Sequence, residues 1–186
     1  CKYLTYLLGT SIALALPAMI IVYQQTGNLD FTNGGVFASG TSTTLLVVLL
    51  VMFLFGFAKA GLMPFHAWLP GAMVAPAPVS ALLHAVAVVK FGVFSIIRVL
   101  NGIFGVDLLA NTPSLSTIVC VLAGITLIVA SLIALTQDNI KSRLAYSTIG
   151  QLSYIILGVG LATKSGIAGA ALHIPMHAFG KITLFL

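Results

Sequence analysis

Three lysines of this 186-residue chain, Lys59, Lys90 and Lys181, stand inside long apolar runs. Insertion scales put a charged lysine at the centre of a bilayer at about 2.5–3.5 kcal/mol, so three unassisted charges would cost on the order of 8–10 kcal/mol. Residues kept at that cost either serve a transport path or lie near span ends, where the amine snorkels to the headgroups. Snorkelling suits Lys59 and Lys181 better than Lys90, which lies deep between Pro78 and Arg98. The chain has no glutamate, and its three acidic residues, Asp30, Asp107 and Asp138, fall in predicted loops. Desolvation disfavours a charged amine, so lysines without a nearby counter-charge are titratable stations for protons or cations. Their acid is expected from outside this stretch of chain.

The histidines extend the pattern. His173, His177 and Lys181 are spaced i, i+4, i+8; each step turns about 40° and rises about 6 Å on an α-helix, so all three share one face. Histidine exchanges protons near neutral pH. Pro175 between them is expected to break the helix: it withholds a hydrogen bond from the Ala171 carbonyl, leaving a polar place there. Two structural histidines bonded within a helix bundle are the alternative. The stretch H-I-P-M-H has zinc-like spacing, but it lacks the glutamate base of a metalloprotease and a third ligand, so no metal is expected. His84 precedes Lys90 by six positions, about 240° around a helix, and is expected to meet a neighbouring helix. Near Lys59, Gly61 and Pro64 predict a helix break. Pro64 cannot donate to the Ala60 carbonyl. Non-helical backbone at membrane depth is tolerated where it is buried in protein or lines a cavity, and transporters build ion sites there. A proline kink placed for packing is the other reading.

The elements that must position these residues follow from composition. Hydrophobic residues make up 60% and charged ones 6%, against roughly 45–50% and about 25% in soluble domains. A water-soluble domain is excluded. At roughly 20 residues per crossing, the sequence reads as one all-α, polytopic membrane domain over 1–186. Six spans are expected, at approximately 4–23, 43–63 with a broken extension 65–74, 79–100, 114–136, 143–162 and 166–186. The loop at 24–42 carries Gly27-Asn28, Asn33-Gly34-Gly35 and Gly40, which are turn signals. The formal charge is +5, but the basic residues are scattered, so no nucleic-acid face is expected. Two cysteines, Cys1 and Cys120, cannot build a disulfide framework. With no G-x-G-x-x-G and no cysteine cluster, neither a catalytic centre nor a cofactor is expected. The chain starts at Cys1 without methionine and stops within the apolar run Leu184-Phe185-Leu186, so it reads as part of a longer subunit. A signal peptide or a lipoprotein start is the alternative for the first run. Alternate connections put Lys2, Lys141 and Arg143 on one side and Arg98 and Lys164 on the other; the enrichment of basic residues in cytoplasmic loops places the turn at 138–143 on the cytoplasmic face.

Lys59 to Ala72, K-A-G-L-M-P-F-H-A-W-L-P-G-A, followed by Ala75 to Val93, A-P-A-P-V-S-A-L-L-H-A-V-A-V-V-K-F-G-V, resembles the signature region of the antiporter-like membrane subunits. These are the Mrp-type monovalent cation/proton antiporter subunits and the related proton-pumping subunits of respiratory complex I and membrane-bound hydrogenases. Asp138 to Tyr154, D-N-I-K-S-R-L-A-Y-S-T-I-G-Q-L-S-Y, and His173 to Leu186, H-I-P-M-H-A-F-G-K-I-T-L-F-L, match two further stretches in order. The resemblance implies two inverted five-helix repeats, this chain spanning the end of one and the start of the next. It implies that Lys59 pairs with a glutamate on an earlier helix, that Lys90 is a central lysine, and that Lys181, His173 and His177 lead toward a second half-channel. It further implies other membrane subunits as partners within a bilayer, protons exchanged for sodium or another monovalent cation, and a bacterial inner membrane. A redox-driven complex with the same helices is the second expectation, and an inactive assembly subunit the third. The chain departs from the pattern at Gly71, where many members carry aspartate, and at Ala77, where many carry threonine; Lys90 looks more like the Mrp-type subunits.

Overall fold

The computed structural model describes residues 2–31, 34–37, 40–72, 76, 79–80, 82 and 87–185. Regular structure among them is entirely helical. Helices α1 (Lys2–Thr10) and α2 (Leu16–Thr26) are joined by a π-helical turn, Ser11–Ala15, into one rod. Pro17 lacks the N–H that an unbroken α-helix would use, and the wider turn stands immediately before it. Gly27, at φ 69°, closes α2 by donating to Tyr23 O.

Helix α3 (Thr43–Gly56) ends earlier than the expected span at 43–63. Phe57 leaves the helical region at φ −90°, ψ 53°, and Ala58–Ala60 form a 3-10 turn closed by Gly61 at φ 74°. The break therefore precedes Lys59 rather than waiting for Pro64, and Lys59 sits within it. Two contacts account for the shift. A Cβ on Gly56 would lie 2.7 Å from Ala15 N, so α3 meets the π-turn backbone directly at its last residue. Beyond it, buried Trp68 donates from Nε1 to Ala58 O at 3.0 Å, supplying a bond from outside the helix. Trp68→Phe keeps the apolar ring and removes this donor; it is expected to lower the stability of the full-length protein by about 1–2 kcal/mol, read as a lower thermal midpoint in detergent.

The other helices among the described residues are α4 (Trp68–Gly71), α5 (Val88–Val99) with a π-helical end at Leu100–Phe104, α6 (Val106–Asn111), α7 (Pro113–Leu135), α8 (Ile140–Gly160) and α9 (Lys164–Phe185). Pro113 at the first position of α7 gives up an N–H that has no helical partner there. Asn139 caps α8, its side chain accepting from Lys141 N at 3.0 Å. Helix α9 runs through Pro175 without interruption, so the predicted break there is not seen: one missing bond is tolerated when the turns on both sides hold the helix.

Among the described residues, two helices are long and apolar enough to cross a membrane, Thr5–Thr26 and Pro113–Leu135, with mean hydropathies of 1.9 and 2.9. These two helices correspond to two of the six expected crossings. Helices α8 and α9 have the length, at 21 and 22 residues, but polar residues dilute them. Leu50 and Phe53 of α3, Val93 and Ile96 of α5, Val119 of α7 and Ile149 and Leu152 of α8 form the shared core.

The outer faces are apolar as well. On α7, Val121, Ile125, Ile128, Leu132 and Leu135 are exposed along one stripe. On α9, Leu172, Met176 and Phe179 face outward while His177 and Lys181 are buried. This is the reverse of a soluble amphipathic helix and fits ionisable groups turned away from lipid into a bundle.

Candidate functional site

Helix α9 delivers three ionisable groups to its inner face. The His173 and His177 rings stack with centroids 6.1 Å apart and planes 9° from parallel, as the four-residue spacing requires. One turn on, the Lys181 ammonium donates to Leu144 O of α8 at 3.0 Å. The same carbonyl accepts from Thr148 Oγ1 at 2.8 Å, so one backbone oxygen serves two side-chain donors.

Lys90 reaches this stripe from the first turn of α5. Its Nζ contacts His177 Nδ1 across the interface; Lys90 is 6% and Lys181 3% exposed. A lysine ammonium has donors only, so with Lys90 charged Nδ1 is the acceptor and the ring proton stands on Nε2. That nitrogen is buried and has no hydrogen-bond partner among the described residues. At the other end of the stripe, His173 Nε2 and Gln151 Oε1 are 2.8 Å apart. Asp30, Asp107 and Asp138, the only acidic residues of the chain, are all exposed. The buried ionisable cluster thus holds amines and imidazoles and no carboxylate from this chain.

The sequence-predicted residues divide accordingly. Lys90, His173, His177 and Lys181 come together, with Pro175 between the rings. Lys59 stands apart on the broken segment, half-buried, its Nζ 5.6 Å from the centroid of the Phe91 ring; Gly61 and Pro64 flank it. His84 lies outside the described residues. Sequence reasoning passed over Gln151 and Trp68. Neither carries a charge or a spacing signal, and each matters through a partner outside its own helix. Gln151 and His173 also line a cleft of about 340 Å³ between α8 and α9, whose walls include Gly158, Gly166 and Gly169.

The whole chain, residues 1–186, matches the family described as NADH:quinone oxidoreductase/Mrp antiporter, TM. The chain belongs to this family. Its relatives include the chloroplastic NAD(P)H-quinone oxidoreductase subunit 5 of Zygnema circumcarinatum, 35% identical over 179 residues, which cover 92% of this chain and 24% of the relative. NADH-ubiquinone oxidoreductase chain 5 of Metridium senile is 35% identical over 91% of this chain and 27% of its own length. Among solved structures, the Mrp complex from Dietzia sp. DQ12-45-1b aligns over 99% of this chain and 20% of the matched chain, with a TM-score of 0.82 and 28% identity. The archaeal membrane-bound sulfane sulfur reductase aligns over 99% and 31%, with a TM-score of 0.83 and 30% identity. The chain thus spans about a quarter of the length of these curated relatives. As a member of the NADH:quinone oxidoreductase/Mrp antiporter family it is an integral membrane protein.

Proposed function

We propose that this chain is the proton-carrying part of a larger antiporter-like subunit, working inside a multisubunit membrane complex. The observation that carries the reading is the Lys90–His177 contact, made between two helices that turn Phe91, Phe94, Met176 and Phe179 outward and Lys90 and His177 inward. The chemistry is a relay. Lys90 passes a proton to His177 Nδ1, and the imidazolium so formed gives up its other proton from Nε2 to an acceptor supplied by the rest of the subunit, which leaves the imidazole neutral and in the opposite tautomer. His173 and Lys181, one turn away on either side, extend the relay along α9, and Lys59 feeds it from the broken segment. With no carboxylate of its own in the cluster, the relay takes its counter-charge from the rest of the subunit or its partners.

Exchange for sodium or another monovalent cation is the driving reaction we favour, because Lys90 lies in a V-A-V-V-K-F-G stretch that resembles the Mrp-type subunits. Quinone reduction elsewhere in a larger complex is the second reading; the quinone oxidoreductase names of the curated relatives favour it. Inverted vesicles carrying the full-length protein with its co-encoded partners separate the two. A sodium pulse without redox substrate is expected to drive proton flux. Flux that needs a reductant supports the second reading, and flux under neither condition overturns the proposal.

Gln151 offers a narrower test. Gln151→Leu leaves His173 Nε2 without its partner, and flux in the same vesicles is expected to fall about threefold to tenfold, the loss of one ordinary hydrogen bond, with the amount of assembled protein unchanged.

A further inference from the structure

Two consecutive residues of α5, Phe91 and Gly92, join the segment that carries Lys59 to the helix that carries Lys90. The Lys59 ammonium lies 5.6 Å from the Phe91 ring centroid, inside the range of about 6 Å over which the negative face of an aromatic ring attracts a cation. Gly92 makes the approach possible. A Cβ there would stand 2.5 Å from Ala60 N, 2.6 Å from Lys59 C and 2.8 Å from Lys59 Cβ, so any other residue would push the broken segment off the helix. Phe91 is 59% exposed, so core packing does not explain its ring. Neighbouring helical residues point about 100° apart, which lets Lys90 face His177 while Phe91 faces Lys59.

We propose that Phe91 is a positioning residue for Lys59: its ring face holds the Lys59 ammonium beside the first turn of α5, one residue from Lys90, at the entrance to the relay. The proposal rests on the reading of Lys59 as a proton carrier, and it concerns a residue with no titratable group of its own. A ring acting through its quadrupole is distinguishable from one acting through its shape. Pentafluorophenylalanine keeps the shape and removes the negative face, tryptophan strengthens that face, and leucine removes it.

The test uses the full-length protein in its native complex, with Lys59 modified by an amine-reactive reagent and the labelled peptide followed by mass spectrometry. Labelling is expected to be about threefold to tenfold faster in Phe91→Leu and in the pentafluorophenylalanine variant than in the wild type, and slower in Phe91→Trp. Wild-type labelling in the pentafluorophenylalanine variant would overturn the proposal, since shape alone would then suffice. Should Phe91→Leu fail to assemble, the two ring-retaining variants decide the matter by themselves. Proton flux is measured in the same vesicles: absence of flux in the wild type would count against the proton-carrying function, while the order of labelling rates would still report whether the ring holds the amine.

Discussion

Lys90→Met is expected to abolish proton flux, by about a hundredfold or more, while the complex assembles at the wild-type level. The magnitude is that of removing a group which itself takes and gives the proton. Methionine is the informative replacement because it fills much of the same volume without an amine. Lys90 is buried, and exchanging a buried charge for an apolar side chain of similar size is often neutral or stabilising. Assembly at the wild-type level is what separates loss of flux in Lys90→Met from collapse of the bundle. Lys90→Ala should be equally silent but less stable, because it opens a cavity, whereas the loss of the His177 Nδ1 contact is common to both variants. Lys90→Arg separates charge from proton exchange: guanidinium stays protonated, so this variant keeps a cation against His177 and should still carry no protons. Measured flux in Lys90→Met or Lys90→Arg near the wild-type rate would take Lys90 off the path.

That a lysine at this position could be singled out before any coordinates reflects what sequence encodes well. A charge in an apolar run is visible at once, and the spacing of His173, His177 and Lys181 defines a helical face without knowledge of what lies opposite. What lies opposite is a different matter. The Lys90–His177 contact spans 87 positions and the Lys181–Leu144 bond 37, and nothing in local pattern pairs them. The helix break shows the same limit from the other side. Pro64 and Gly61 announce that α3 must stop, but it stops at Gly56 because that glycine meets the backbone of Ala15 and because Trp68 takes up Ala58 O. Local chemistry sets the latest point at which the helix can end, and tertiary contact chooses an earlier one. Pro175 errs in the opposite direction, since a proline read as a break is carried through by the turns around it.

The crossing at Gly35 and Gly105 carries the largest expected effect on stability. Gly105 follows the π-helical end of α5 with φ 83° and ψ 146°, in a region that side-chain-bearing residues rarely enter. A Cβ on it would lie 2.3 Å from Gly34 O and 2.5 Å from Gly34 C. The relation is mutual: Gly35 has φ 89°, and a Cβ there would lie 2.3 Å from Phe104 O. Beside them Val36 N donates to Ile103 O at 2.9 Å, which fastens the loop to the end of the helix bearing Lys90. Gly105→Ala therefore incurs both a conformational cost and a clash with backbone, which cannot swing aside as a side chain would. It is expected to destabilise the full-length protein by about 3–5 kcal/mol, read as a large drop in thermal midpoint or as failure to assemble. Gly124→Ala is the matched control. That glycine sits within α7 with nothing within 4 Å of a built Cβ, so alanine there should be neutral or stabilising by up to about 1 kcal/mol. If Gly105→Ala behaves like Gly124→Ala, the loop does not hold the end of α5 through this crossing, and the placement of Lys90 must rest on the contacts of α5 with the Lys59 segment, α3 and α8.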